Sequence, residues 1–284
     1  MPKVKVIEKA NNVHAIKLKF DSLYDHQTFL LVSDIHLDNP KCRRDILKRH
    51  LKQAENKNAR VLMFGDVLCL MQGRNDRRGS KTALTAKQID QPYFDAVLDD
   101  AAKFFAPYKH MIDVIGYGNH ETAIIRHNEF DPLKNLVMRL NQNEGSPVFT
   151  GGYGGWIYFQ GESSQKRSSL KMKYHHGSGG NSTVTKGAIQ QQRAAAMYDA
   201  DIVVQGHIHQ RQVTHQPKER LSNSGQVEQF EQVSLRLPTY KDAWKDGAFG
   251  WEVEKALGPS PIGGWWLDIF WHKSKLKFTY SPTD

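Results

Sequence analysis

The sequence has few cysteines and lacks any long apolar run. Two cysteines, Cys42 and Cys69, are too few for a disulfide framework, which predicts a reducing compartment, the cytoplasm. No apolar stretch approaches the roughly 20 residues that a membrane-spanning helix needs. The first residues, MPKVKVIEKA, contain no apolar core of a secretory signal. We therefore predict a cytoplasmic protein with no membrane partner.

Internal repeats and long low-complexity linkers are also absent from the sequence. Of its 284 residues, 39% are hydrophobic and 24% are charged, which is ordinary for a globular enzyme. This length suits one layered catalytic domain. We therefore predict a single domain over residues 1–284.

Acidic residues are outnumbered by basic ones. Lys and Arg total 39 against 30 Asp and Glu, a formal net charge of +9. Such a balance suits a polyanionic partner such as DNA or RNA, because contacts with phosphates release counterions. Many basic proteins bind no nucleic acid, however, and a basic cluster on a helix is more often a solvated face. Charge alone leaves both interpretations open.

Short apolar runs alternate with helical patterns, which is typical of layered α/β folds. Strands are predicted at 28–32, 61–64, 111–115, 156–160, 170–175, 202–205, 232–237, 265–271 and 276–280. Helices are predicted at 41–55, 84–105, 131–141 and 185–199. The polar segment 216–229 is predicted to be a mobile loop, and residues 240–264 show no interpretable pattern.

Potential metal ligands recur where these apolar strands end. Ligands of open α/β sheets bind beyond the carboxyl ends of the strands, where such groups would converge. Imidazole and carboxylate groups suit a pair of divalent cations, and an Asn oxygen completes a coordination shell without adding charge. In chain order the candidates are Asp34, His36, Asp66, Asn119, His120, His175, His176, His207 and His209.

Taken singly, each candidate has an ordinary explanation. An Asp after a strand, such as Asp34, commonly caps a turn, and residues 118–121 have the composition of a turn. His207 and His209 are more informative, because alternate residues of an extended segment share a face. The order of the whole set, with each group after a predicted strand, favours a metal centre.

This ordered set resembles the calcineurin-like metallophosphoesterase superfamily. Its blocks are Asp-x-His, Gly-Asp, Gly-Asn-His-Asp/Glu, His and Gly-His-x-His, and all five occur within residues 28–210. Here they are Asp34-Ile35-His36, Gly65-Asp66, Gly118-Asn119-His120-Glu121, His176-Gly177 and Gly206-His207-Ile208-His209. The resemblance implies a four-layer α/β/β/α sandwich of two mixed sheets flanked by helices. Strands within residues 211–284 would complete the second sheet.

The resemblance also implies two divalent metal ions and a role for each block. One ion would be held by Asp34, His36, Asp66 and His209. The other would be held by Asp66, Asn119, His176 and His207, with Asp66 bridging the two. Manganese is the first choice, with zinc, iron and nickel as alternatives. The implied activity is two-metal hydrolysis of a phosphate ester, with His120 as a catalytic group near the phosphate and Asp34 as its orienting partner.

Two adjacent histidines, His175 and His176, compete for one ligand position. The ligand of the superfamily usually precedes Gly, which favours His176 in this sequence. Alternation along a strand would then direct His175 to the opposite side. We therefore predict that His176 is the ligand, with His175 as the alternative.

The substrate is defined less closely than the chemistry. Protein phosphatases of the superfamily carry Gly-Asp-x-His-Gly and a later Asp-Arg-Gly, whereas this chain has Leu37 after the first block and only a poor substitute at 76–79. We predict a phosphodiesterase acting on nucleic acid or a nucleotide, with Arg74, Arg77 and Arg78 as candidate substrate contacts. A solvated basic loop is the alternative for those arginines. A phosphomonoesterase of a small substrate and a non-catalytic scaffold are the alternative functions; a missing ligand would mark a scaffold, and none is missing.

Overall fold

Two mixed β-sheets pack face to face in the computed structural model. It describes the chain except residues 1, 23, 72–83, 85–87, 89–91, 143, 146, 164–165, 181, 223, 246 and 249–250. The described residues form one sheet of seven strands and one of six. Helices cover the outer faces, so the predicted α/β class, with two mixed sheets flanked by helices, is confirmed.

The elements follow one another in the order that the apolar runs suggested. The strands are β1 (Lys3–Ala10), β2 (Val13–Lys19), β3 (His26–Val32), β4 (Arg60–Phe64), β5 (Ile112–Gly116), β6 (Phe149–Thr150), β7 (Gly154–Glu162), β8 (Arg167–His175), β9 (Ile202–Gln205), β10 (Gln212–Leu221), β11 (Val227–Arg236), β12 (Trp265–His272) and β13 (Lys275–Pro282). The helices are α1 (Arg44–Asn56), α2 (Tyr93–Phe105), α3 (Asn119–Asn128), α4 (Pro132–Asn141), α5 (Ala188–Met197) and the short α6 (Trp251–Glu254). A 3₁₀ helix covers Ala106–Met111.

The six-stranded sheet has the order β13-β12-β3-β4-β5-β6, with β3 to β6 parallel. Strand β3 is buried on both faces, as its continuous apolar run requires. Leu30 contributes to the core shared with helices α1, α2 and α4, whereas Phe29 contributes to the core between the sheets. The parallel strands therefore end together at one edge of a sheet that is covered on both sides.

The seven-stranded sheet has the order β1-β2-β7-β8-β9-β11-β10. Burial alternates along β7, where Ile157 and Phe159 face the other sheet. On the outer face a small cluster that includes Ala194 of α5 packs on Val203 of β9. One half of this outer face, formed by β9 and β11, thus lies under a helix.

The prediction of a mobile loop at 216–229 is wrong. Strands β10 and β11 form a long antiparallel hairpin with continuous pairing from Gln212–Arg236 to Leu221–Val227. Only its base, Val233–Arg236, pairs with β9. Side chains beyond that base alternate between half-buried and exposed positions, so a polar sequence is compatible with strand pairing there.

Several sequence predictions agree with the structure. The predicted strand at 202–205 coincides with β9. The predicted N-cap Asp131 accepts a hydrogen bond from the Lys134 backbone N–H at 3.0 Å. Residues 212–236 join the seven-stranded sheet, whereas 265–282 join the six-stranded one. No helix among the described residues has the length and apolarity to span a membrane.

Candidate metal centre

The loops after parallel strands bring the predicted ligands together. The loop after β3 runs beside the loop after β4: the Asp34 N–H donates to the Gly65 carbonyl and the His36 N–H to the Asp66 carbonyl, both at 3.0 Å. From the second sheet, the backbone N–H of His207 donates to Asp34 Oδ2 at 2.8 Å. Backbone hydrogen bonds therefore fix the three loops relative to one another.

Left-handed backbone is concentrated at the predicted ligands. Twelve described residues other than glycine have positive φ, and five of them are predicted ligands. Their φ values are 53° at Asp34, 51° at His36, 50° at Asp66, 71° at His207 and 57° at His209. Such conformations cost about 1–3 kcal/mol each and persist where surrounding contacts fix them, typically at functional sites.

One cluster of donor atoms consists of Asp34, His36 and His209, whose ligand atoms lie within 4.8 Å of one another. His209 Nε2 is 3.3 Å from His36 Nε2 and 3.3 Å from Asp34 Oδ1. Asp34 Oδ1 is buried without a well-directed hydrogen bond. Burial lowers the pKa of His36 well below its ordinary value, so this imidazole is neutral and keeps a lone pair.

A second cluster consists of Asp66, His176 and His207, again with ligand atoms within 4.8 Å. His176 Nε2 lies 3.2 Å from Asp66 Oδ2 and 3.2 Å from Asn119 Oδ1. His207 Nδ1 lies 2.8 Å from the same Asn119 oxygen. The predicted ligand Asn119 therefore stands between the two imidazoles.

Backbone carbonyls determine which imidazole nitrogens face this second cluster. His176 Nδ1 donates to the Phe64 carbonyl at 3.0 Å, and His207 Nε2 donates to the Gly179 carbonyl at 2.9 Å. These partners assign the lone pairs to His176 Nε2 and His207 Nδ1, which both face an Asn119 oxygen that also only accepts. A cation between them satisfies all three atoms, as outer partners of metal-bound histidines commonly arrange.

The charge distribution of the centre also favours cations. The carboxylates of Asp34 and Asp66 are buried, with exposures of 0% and 2%. Although burial opposes protonation, the charges of Asp66 and Asp34 raise the pKa of His176 to about 10. A buried pair of carboxylates is stable only with compensating positive charge. Oxygen and imidazole donors in this setting fit divalent metal ions.

The two clusters adjoin each other through the aspartates. Asp34 Oδ1, a member of the first cluster, lies 3.9 Å from His176 Nε2 in the second. Asp66 Oδ1 accepts the His120 backbone N–H at 3.0 Å, whereas Asp66 Oδ2 faces His176. Asp66 as the bridging ligand stays a prediction.

His120 lies beside the clusters. Its Nδ1 donates to the Cys69 carbonyl at 2.5 Å, and its ring centroid is 4.8 Å from that of His36. Its Nε2 is 3.7 Å from Asp66 Oδ2. The carbonyl of Cys69 therefore orients this imidazole, and the orienting role predicted for Asp34 gains no direct contact among the described residues.

His175 has different surroundings from His176. Its Nδ1 accepts the Gly177 backbone N–H at 3.0 Å, and its ring packs edge-on against Tyr153 with centroids 5.2 Å apart. His175 belongs to neither donor cluster of the described chain. The structure thus brings His176 into the centre and places His175 beside it. The predicted substrate contacts Arg74, Arg77 and Arg78 lie outside the described residues.

Glu121 is a supporting residue whose role the sequence did not specify. Its buried carboxylate accepts backbone N–H groups of Asp66 at 3.1 Å, Leu68 at 2.9 Å and Gly118 at 2.8 Å. Burial and the nearby charge of Asp66 raise its pKa to about 8. Glu121 thereby connects the loop after β4 to the start of α3, where Asn119 is located. Its place in the Gly118–Glu121 block was the available signal.

Two further supports come from the chain beyond the blocks. Arg236 is fully buried and donates to the Gly187 carbonyl at 2.8 Å and the Gly206 carbonyl at 3.4 Å. The Asp34 carbonyl accepts from the Thr239 hydroxyl at 2.7 Å and the Tyr240 N–H at 3.0 Å. Only the folded contacts reveal these supports, because no local pattern marks a buried Arg at the end of an apolar strand.

Comparisons with known proteins agree with this centre at the level of family. Residues 27–211 match the calcineurin-like phosphoesterase family. No curated protein matches the chain. Similar solved structures include vacuolar protein sorting 29 from Cryptosporidium parvum, 16% identical with a TM-score of 0.35, covering 91% of this chain and 98% of that one. Another is GAP50, the anchor in the inner membrane complex of Plasmodium, 10% identical with a TM-score of 0.39, covering 89% and 84%.

Proposed function

We propose, from the premise that this chain belongs to the calcineurin-like phosphoesterase family, that it is a two-metal phosphodiesterase acting on nucleic acid or a nucleotide. The observation that carries the proposal is the convergence of two adjoining clusters of buried imidazole and carboxylate groups. Every ligand position of the five blocks holds a residue able to bind a metal. A scaffold without metals would not need this buried, electron-rich centre.

The donor atoms divide between two divalent ions. Asp34, His36 and His209 would hold one ion, and Asn119, His176 and His207 the other, with Asp66 shared. When bound, such ions act as Lewis acids that lower the pKa of water and neutralise phosphate oxygens. Manganese is the ion we propose first, with zinc, iron and nickel as alternatives.

The chain itself supplies positioning and proton transfer. Because the Cys69 carbonyl holds His120 Nδ1, the opposite nitrogen Nε2 faces the centre. From there it would stabilise charge on the phosphate or donate a proton to the leaving oxygen, a task suited to imidazole near neutral pH. Burial of Asp34 and Asp66 keeps bulk water away from the ligands. Glu121 keeps Asp66 and α3 in register.

A preference for diesters rests on charge and on missing blocks. The +9 net charge favours a polyanion such as DNA or RNA. The sequence departs from the blocks of protein phosphatases at Leu37 and at 76–79. The roles proposed for Arg74, Arg77 and Arg78 stay predictions, since these residues lie outside the described chain. Hydrolysis of a small monoester is the alternative.

A substrate panel tests the reaction. Protein reloaded with manganese is assayed on bis(p-nitrophenyl) phosphate and p-nitrophenyl phosphate, then on DNA and RNA. We expect faster turnover of the diester and cleavage of at least one nucleic acid. Faster turnover of the monoester with intact nucleic acids would replace the phosphodiesterase with a phosphomonoesterase. Metal binding without hydrolysis of any substrate would support the scaffold.

The variant Asp66→Asn tests the shared ligand. We expect it to reduce manganese content below the two ions per chain proposed for the native protein, and to reduce hydrolysis, because an amide supplies less charge than a carboxylate to both ions. Metal content is measured by elemental analysis. Asp21→Asn, at an exposed position, is the matched control. Full occupancy and full activity in Asp66→Asn would refute the assignment of Asp66.

A further inference from the structure

An open basic groove lies on the outer face of the seven-stranded sheet, where β1, β2, β7 and β8 meet. Its volume is about 650 Å³. Five basic side chains and one acidic side chain line it. The basic ones are Lys3, Lys5, Lys17, Lys19 and Arg167, and the acidic one is Glu162.

The four lysines repel one another in the folded protein. Lys3 is directly opposite Lys19, and Lys5 directly opposite Lys17, in the antiparallel pair β1–β2. All four are exposed. Like charges in directly opposed positions destabilise a strand pair. No ion pair to any of the four occurs in the part of the chain that the structure describes. An anion bound between them would relieve this repulsion.

The acidic side chain in the groove does not neutralise the lysines. Glu162 pairs with Arg167, whose guanidinium lies 3.3 Å from its carboxylate. The remaining lining groups of β7 and β8 are uncharged hydrogen-bonding side chains: Tyr158, Gln160, Ser168 and Ser169. The groove therefore combines unneutralised positive charge with polar groups and one phenol ring.

The groove is separate from the metal centre. In the β7–β8 pair, Glu162 is opposite Arg167 at the groove end, and Gly154 is opposite His175 at the other end. Strand β8 rises about 3.3 Å per residue, so its nine residues separate the two ends by about 26 Å. Residues of the groove cannot act on a phosphate held at the centre.

We propose that this groove binds a single strand of nucleic acid through its phosphates. Lysines two residues apart on one strand are separated by about 6.6 Å, so each row of two meets two phosphates of an extended chain. The neighbouring polar groups and Tyr158 suit unstacked bases, which single strands offer and duplexes keep paired. This surface goes beyond the proposed function, because it needs neither bound metal nor hydrolysis.

An anionic membrane fits the groove less well. A membrane-bound surface usually adds apolar side chains that insert between lipids. Among the described residues, the exposed large hydrophobic side chains lie outside the groove. A concave surface also follows one strand better than a flat bilayer. Vesicle binding is therefore the competing outcome of the test.

The test replaces the four groove lysines, Lys3, Lys5, Lys17 and Lys19, together by Gln. The matched control replaces four exposed lysines elsewhere, Lys48, Lys103, Lys134 and Lys255, so that net charge changes equally. Binding of a fluorescent 20-nucleotide single strand is followed by anisotropy across a salt series. EDTA is present throughout, so the result is independent of the metal-dependent reaction.

We expect the groove variant to bind at least tenfold more weakly at low salt than the control variant. Its dependence of log affinity on log salt should flatten by about 2–3, since each lost phosphate contact on a single strand accounts for about 0.7. Its thermal midpoint should not fall, because the substitution removes like-charge repulsion. Equal loss of affinity in both variants would refute the groove as a site. Loss of binding to phosphatidylserine vesicles with unchanged binding to the oligonucleotide would replace nucleic acid by a lipid surface.

Discussion

Two adjacent histidines at the end of β8 have opposite surroundings. His176 Nε2 faces Asp66 and Asn119, whereas His175 packs against Tyr153 and accepts from a backbone N–H. Because alternate side chains of a strand point to opposite faces, only one of them reaches the centre. The two residues therefore form a natural matched pair for mutation.

We expect His176→Ala to lower bound manganese and phosphoesterase activity together, since it removes a donor from the second cluster. His175→Ala should retain metal and most activity, because it removes only a contact with Tyr153. Elemental analysis after reloading, with circular dichroism as the check on folding, measures both variants. Loss of metal in His175→Ala alone would reverse the choice of ligand.

His120 differs from the ligands in that a carbonyl, not a carboxylate, fixes its ring. We expect His120→Ala to keep its metal content while turnover falls by roughly 10²–10⁴-fold, the range for a lost acid–base group. Steady-state kinetics with metal analysis on the same sample separate the two effects. If the metals are lost with the imidazole, His120 is a ligand.

At the scale of elements, the centre depends on how closely the loop after β4 approaches the start of α3. A Cβ at Gly118 would overlap the Asp66 carboxylate and its backbone nitrogen. The same approach places the Glu121 carboxylate across both segments. Glycine is required here by close contact between backbone segments, with the shared ligand Asp66 as the neighbour.

Gly118→Ala should therefore weaken manganese binding and lower the thermal midpoint, because the loop with Asp66 must move away from α3. Gly180→Ala is the matched control, since a Cβ there meets nothing within 4 Å. Manganese titration and thermal unfolding measure the two variants side by side. Equal behaviour of the two variants would mean that the loop adapts at little cost.

At the scale of the whole molecule, the sandwich places its most polar buried groups at one edge of its apolar core. Asp34 and Asp66 lie at the ends of β3 and β4, whose preceding residues fill the cores between the layers. Ligands that bind only the folded state stabilise it by mass action, by about 2.7 kcal/mol per site at 100 times the dissociation constant. The metal centre should therefore contribute measurably to global stability.

We expect removal of divalent metal by EDTA to lower the thermal midpoint by roughly 5–10 °C relative to manganese-loaded protein, from the usual conversion of free energy to temperature. Differential scanning calorimetry measures the shift. Asp66→Asn should show a smaller shift, and Asp21→Asn the full one. Identical midpoints with and without metal would contradict tight binding to the folded state.

Much of the centre is determined by the sequence alone. Each predicted ligand follows an apolar run, and runs such as 28–32 and 61–64 form strands for local reasons: continuous hydrophobicity and β-branched or aromatic residues. Parallel strands that end at one edge bring their next residues together. The residues of the centre and the two-sheet architecture could therefore be predicted without coordinates.

Only the tertiary structure decided which groups support that centre and where the charge lies. The left-handed backbone at Asp34 and Asp66 and the burial of Arg236 depend on contacts between distant segments. The hairpin β10–β11 is polar because its far part lies on no core, so hydrophobic periodicity could not reveal it. The basic groove likewise arises from register: Lys3 and Lys19 are far apart in sequence, and only strand pairing places them face to face.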